Sequence, residues 1–269
     1  MIVRDEGGHL VLVRQPDHAT LSGQLAAVWG NAPWERPSPF PAVVLGARLH
    51  DEAWLPWEEA PTVGDDGRPQ SFYEVDRVVT ADLYRRGADA VTALDEYAGL
   101  LVSLHYSGFF HGHWEWQPFA TPDRFPEPQG PALQRFVDRE LQRQKGLRQR
   151  HSGAPDADAR LARNYRLLQL WDRISLDLCR QQHDGSWHGV YPAVDPGGGG
   201  EAEWVQLRIE VTGPWSCVLD PYPLRVEPFR TRLPVVRIAT RGLGDQQHFI
   251  ELWSAAPTEM VEVTVRAPS

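Results

Sequence analysis

Apolar residues recur with a period of two at both ends of this chain and with a helical period between them. Ile2-Val3-Arg4 and His9-Leu10-Val11-Leu12-Val13 flank Gly7-Gly8, so residues 1–14 read as a β-hairpin. From 16 to 29 the spacing turns helical, with His18, Leu21, Ser22, Leu25 and Trp29 on one face. Pro16 suits the first turn of that helix. A second helix is predicted over 40–54, followed by a polar loop that turns at Gly64-Asp65-Asp66-Gly67. Helices over 76–87 and 89–110 come next, with a break near Gly87. A proline-rich, irregular crossing over 117–130 leads to helices over 131–150 and 157–181, parted by a turn at Ser152-Gly153-Ala154-Pro155. Beyond the run Pro196-Gly197-Gly198-Gly199-Gly200, alternation predicts strands at 204–211, 235–239, 249–253 and 260–265. The expected fold is mainly α. A helical bundle with its N-terminal hairpin occupies 1–195, and an antiparallel β appendage over 201–269 packs on it, with the hairpin able to join.

Composition narrows the function classes. A hydrophobic share of 42% over 269 residues supports a sizeable core and argues against disorder. The net charge of −9 excludes a general binder of nucleic-acid backbones. It leaves room for a small anionic substrate held by a few arginines. Cys179 and Cys217 form no CxxC, which excludes a thiolate zinc site. No apolar run approaches the roughly 20 residues of a membrane helix. The opening residues Met1-Ile2-Val3-Arg4-Asp5-Glu6-Gly7-Gly8 lack a signal-peptide core. The expectation is a cytoplasmic protein with no membrane or nucleic-acid partner; a homodimer stays open. No G-x-S-x-G string surrounds any serine, and no lysine with Ser/Thr follows the glycine run, so neither a serine hydrolase nor a phosphate loop is indicated.

The candidate chemistry lies in polar residues placed where apolar ones are expected. His50-Asp51 ends the apolar run Ala42-Val43-Val44-Leu45-Gly46-Ala47. Both side chains are costly in a dry core unless satisfied. A divalent ion satisfies them, since imidazole nitrogen and carboxylate oxygen are natural ligands of zinc, iron, manganese and nickel. Helical neighbours point about 100° apart, so the pair grips one ion only from a helix end or edge. His18 shares its face with Leu21, Leu25 and Trp29, and His105 lies on the stripe Ala98, Leu101, Val102, Phe109. Asp172 sits among Tyr165, Leu168, Leu176 and Cys179, whereas nearby Asp177 has Arg173 and Arg180 to pair with on an expected solvated face. A buried carboxylate without such partners either takes up a proton or binds a cation. Arg48, one turn before Asp51, is a candidate to reach a phosphate. Trp54 and Trp57 are candidates to wall the pocket, and His111 and His113 to line it.

The order His18 … His50-Asp51 … Asp172 on successive helices resembles the H…HD…D signature of the HD-domain superfamily. The strings Gln15-Pro16-Asp17-His18-Ala19, Ala47-Arg48-Leu49-His50-Asp51 and Trp171-Asp172-Arg173-Ile174-Ser175-Leu176 resemble an uncharacterised bacterial branch of it, domain-of-unknown-function family 3891. That likeness extends over nearly the whole chain, including Asp220-Pro221-Tyr222-Pro223. It implies an HD-like helical bundle with one or two metal ions. His18, His50, Asp51 and Asp172 match the first metal's ligands, and His105 matches a histidine that dinuclear relatives add. The implied activity is a metal-dependent phosphohydrolase working through metal-activated water on a small phosphorylated compound, with His105 as second-metal ligand or general acid. The alternatives are a di-iron oxygenase on the same fold and a non-catalytic metal-stabilised binding module.

Overall fold

The computed structural model of the protein describes residues 1–111, 129–180, 188–194, 196–197, 205–241 and 243–269. The hairpin forms as expected, with β1 (Ile2–Asp5) and β2 (His9–Val13) joined through Gly7 and Gly8, both at positive φ. α1 (Gln15–Val28) follows at once, then α2 (Phe40–Leu49), a 3-10 turn at Glu52–Trp54 and the short α3 (Leu55–Glu58). α4 (Arg77–Leu94) and α5 (Glu96–His111) form an antiparallel pair, and α6 (Gln129–His151) and α7 (Ala157–Arg180) complete the helical layer. β3 (His188–Val194), β4 (Val205–Gly213), β5 (Ser216–Asp220), β6 (Phe229–Ala239), α8 (Gln246–Ala255) and β7 (Thr258–Arg266) make up the rest. Among the described residues no helix is long and apolar enough to cross a membrane.

The expected mainly-α bundle with a small antiparallel appendage is corrected here. The fold is α/β: 52% of the described residues are helix and 22% strand, and the described strands form a curled, mixed, seven-stranded sheet. Its strand order is β1-β2-β6-β7-β5-β4-β3. All neighbours are antiparallel except β5 and β7, which run parallel from Ser216↔Thr264 to Val218↔Arg266. The sheet takes in more of the chain than the tail strands that alternation predicts. The hairpin is integral to it, since β2 pairs with β6 from His9↔Ala239 to Leu12↔Val236. β2 then has neighbours on both edges and buries Leu10 through Val13. The short strands β3 and β5 also add to it, and neither shows a long alternating run.

The helix predicted over 40–54 ends at Leu49 and the strand predicted at 235–239 begins at Phe229; two further elements change type or continuity. The predicted strand at 249–253 is inside α8. Asp245 caps that helix by accepting from His248 N–H at 3.0 Å, and Phe249 and Trp253, four apart, turn inward together. Trp253 Nε1 donates to the Glu58 carbonyl at 3.0 Å, which anchors the helix to α3. The predicted break at Gly87 is absent: α4 runs through it and stops at Asp95. Gly87 serves packing instead, because a Cβ there would meet Ala53 Cβ at 2.6 Å.

One core cluster joins Leu21, Leu25 and Trp29 of α1 and Trp171 and Ile174 of α7 to Leu233, Val235, Val263 and Val265 of the sheet. Small residues set how closely the helices approach. A Cβ on Gly46 would touch the Ala98 backbone at 3.5 Å, so α2 rests directly on α5. A Cβ on Gly23 would lie 2.6 Å from Arg48 Cβ and 2.8 Å from Arg48 Cα, so α1 and α2 meet almost backbone to backbone. Gly23→Ala is therefore expected to force these helices apart and destabilise the protein by about 1–3 kcal/mol, the usual range for overpacking. Thermal melting checks this, and an unchanged midpoint would refute the close contact.

Candidate metal centre

The end of α2 shows how adjacent residues come to face one centre. The helix stops at Leu49, His50 caps it in helical geometry, and Asp51 departs to φ −122°, ψ 17°. The 100° divergence of helical neighbours is thereby removed. His18 comes from α1, His105 from α5 and Asp172 from α7, and all five side chains are buried.

The distances are short. His18 Nε2 lies 2.9 Å from Asp51 Oδ2 and 3.7 Å from Asp172 Oδ1. His50 Nε2 lies 3.3 Å from Asp172 Oδ1 and 3.8 Å from Asp51 Oδ2. His105 Nε2 lies 3.9 Å from Asp172 Oδ2. The rings cross edge to face, His18–His50 at 5.1 Å and His50–His105 at 4.9 Å. Among the described residues two groups could hold a metal ion, His18/His50/Asp51 and His50/His105/Asp172, each with ligand atoms within 4.8 Å of one another.

The hydrogen-bond pattern explains why this cluster calls for a cation. His50 Nδ1 is 2.8 Å from the Ala47 carbonyl, which only accepts, so the ring hydrogen sits on Nδ1. In neutral His50 the Nε2 lone pair then points at two carboxylates. Lone pair against lone pair is repulsive, and only a proton or a metal ion on that side relieves it. In the metal-free protein a proton does so. Burial alone would lower the His50 pKa, but the charges of Asp51 and Asp172 override it and raise it from 6.5 to about 9. His18 is less constrained, since its Nδ1 meets Ser175 Oγ at 2.7 Å and a hydroxyl can donate or accept. Desolvation pushes His105 down to about 4, so it is neutral at pH 7. Asp172 is held to about 2, because His50 outweighs the desolvation that would raise it. Asp51 Oδ1 is buried and has no hydrogen-bond partner among the described residues.

The structure thus brings His18, His50, Asp51, His105 and Asp172 together. Arg48 stands apart, exposed where α2 crosses α1. Trp54 and Trp57 pack edge to face at 5.6 Å, and Trp54 also meets Tyr84 at 5.9 Å. Asp177, expected on a solvated face, is buried, with Tyr191 O–H donating to it at 2.7 Å and Arg173 alongside. The side chain of His111 and all of His113 lie outside the described residues. Sequence reading missed the supporting residues Gln15 and Ser175. The available signal was spacing: Gln15 precedes His18 by three residues and Ser175 follows Asp172 by three, on the same helix faces.

The family described as Protein of unknown function (DUF3891) matches residues 1–240. The chain belongs to the DUF3891 family. The match takes in all five converging residues and the sheet as far as the end of β6. No curated protein and no solved structure matches this DUF3891 member at a significant level.

Proposed function

We propose that this DUF3891 protein is a metal-dependent hydrolase acting on a small phosphorylated compound. The observation that carries the reading is His50 Nε2, fixed by the Ala47 carbonyl in the tautomer that presents its lone pair to two carboxylates. Imidazole and carboxylate together suit iron, manganese, zinc or nickel in the divalent state. A single ion is favoured over two, because the two candidate ligand groups share His50 and its Nε2 has one lone pair to give. That count argues for the hydrolase over the di-iron oxygenase. The resemblance of His18, His50-Asp51 and Asp172 to the HD-domain signature adds support.

An ion held there would supply Lewis acidity, acidifying water and polarising a phosphoryl oxygen. The residues divide the remaining work. His18, His50, Asp51 and Asp172 bind, and their burial excludes bulk water. His105, neutral at pH 7, has its Nε2 3.9 Å from Asp172 Oδ2 and can take up a proton through its ring. This makes it a base or a further ligand rather than an acid.

The test is elemental analysis of protein purified without added metal, followed by assays on phosphomonoesters with and without oxygen. Stoichiometric metal and oxygen-independent phosphate release are expected. Oxygen-dependent turnover with iron charge-transfer absorbance would establish the oxygenase, and bound metal without turnover the binding module. His105→Ala is expected to retain most of the metal while losing about 10²–10⁴-fold in rate, the usual range for a lost acid–base group. Wild-type turnover in that variant would reduce His105 to a core histidine.

A further inference from the structure

The wall of the centre on the α1 side holds a polar residue that is no candidate ligand. Gln15 opens α1, and only 1% of it is exposed. Its side-chain Nε2 donates to Asp51 Oδ2 at 3.1 Å, the same oxygen that lies 2.9 Å from His18 Nε2. Its backbone N–H donates to Glu58 Oε1 at 2.9 Å, and Glu58 is fully buried. The residue is therefore held at both ends, through its main chain by α3 and through its amide by Asp51. Its Oε1 is buried and has no hydrogen-bond partner among the described residues.

That unpaired oxygen is informative. A residue needed only to fill space at this position would be apolar, because burying half an amide without a partner is unfavourable. The compensating gain must lie in the N–H end, and that end addresses one atom, Asp51 Oδ2. The other oxygen of the same carboxylate, Oδ1, is the one left without a partner. Oδ2 also faces His18 Nε2 at 2.9 Å and His50 Nε2 at 3.8 Å, so a hydrogen bond to it fixes the carboxylate where it meets the centre, which is how outer groups orient a metal ligand.

We propose that Gln15 is a positioning residue of the metal centre: its amide holds the Asp51 carboxylate by Oδ2, the oxygen that faces His18 and His50. The proposal rests on the metal reading above. Gln15 touches neither ion nor substrate, and it acts through Asp51.

The test uses Gln15→Met, which keeps the length and loses the donor, on the full chain. Zinc affinity is read by competition with a chromophoric chelator, coordination by the visible spectrum of the cobalt(II)-loaded protein, and folding by the melting temperature with metal removed. The expected result is a 10–100-fold loss of zinc affinity, the usual range for such outer-shell partners. The cobalt bands should shift as Asp51 is freed, while the metal-free melting temperature stays close to that of the wild type, because the lost N–H bond to Asp51 and the removed unpaired Oε1 offset each other. Wild-type zinc affinity with unchanged cobalt bands would overturn the proposal. A lowered metal-free melting temperature with unchanged bands would likewise overturn it, by showing a structural role alone. If Gln15→Met does not fold, Gln15→Asn, one methylene short of Asp51, is put to the same measurements and read in the same way. Wild-type protein that takes up neither zinc nor cobalt refutes the metal centre itself. Equal binding by wild type and variant refutes only the role of Gln15.

Discussion

Asp172→Ala is expected to abolish metal binding and to destabilise the metal-free protein by roughly 3–5 kcal/mol, the range for removing one partner of a buried ion pair. At about 2–4 °C per kcal/mol for a chain of this size class, the melting temperature should fall by on the order of 10 °C. The size of the effect follows from position. Asp172 is the residue that meets all three histidines, at 3.3 Å from His50, 3.7 Å from His18 and 3.9 Å from His105. Its loss leaves the His50 proton facing Asp51 alone at 3.8 Å. Asp172→Asn separates charge from shape, because it keeps the volume and one acceptor oxygen while removing the charge. It should lose the metal as fully as the alanine variant but melt at a higher temperature. Elemental analysis and scanning calorimetry of the two variants check this. Full metal content in either would show that Asp172 is not a ligand.

Metal binding is expected to strengthen about tenfold for each unit of pH between 6 and 8. His50 carries a proton in the metal-free centre until about pH 9, and an ion must displace that proton to reach Nε2. One proton released corresponds to one decade per unit of pH. His105 is already neutral above about pH 4 and adds nothing to the slope in this window. Calorimetric titration in buffers of different ionisation enthalpy counts the proton directly, and a flat affinity between pH 6 and 8 would contradict the assignment. The same group shapes stability. Its folded pKa of about 9 stands above the ordinary 6.5, so its contribution is complete below 6.5 and lost as pH rises through 9. With a chelator present the protein should melt at progressively lower temperature across that alkaline interval, and His50→Gln should flatten the decline.

The candidate centre was legible in the sequence to the extent that it depends on helices. Polar residues on apolar stripes, repeated at helical spacing, pointed to His18, His105 and Asp172. The His50-Asp51 pair at the close of an apolar run pointed to a helix end. Arg48, one turn before Asp51, would share its face only if the helix continued, and the helix stops at Leu49. The sheet was harder to read because its decisive pairing joins His9 to Ala239, and no local pattern encodes a partner that distant. β3 carries Gly189 and Pro192 in place of a clean alternation, β5 is five residues long, and the parallel contact of β5 with β7 leaves no mark in either strand alone. Phe249-Ile250-Glu251-Leu252-Trp253 satisfies a period of two and an i, i+4 pair equally well. Only the Asp245 cap and the Glu58 contact select the helix.

The pairing of β2 with β6 also sets an order of assembly during synthesis. All five converging side chains lie on elements finished by Arg180, so they leave the ribosome well before β6 begins at Phe229. Until then the inner edge of β2 is open, and Leu10, Val11 and Leu12 lack the strand that will pair with them. An exposed apolar edge recruits other strands. Chains arrested between these points should therefore associate with one another or engage chaperones, even with the histidines and aspartates already in place. Metal added during translation would reach a nascent helical layer before the sheet has closed.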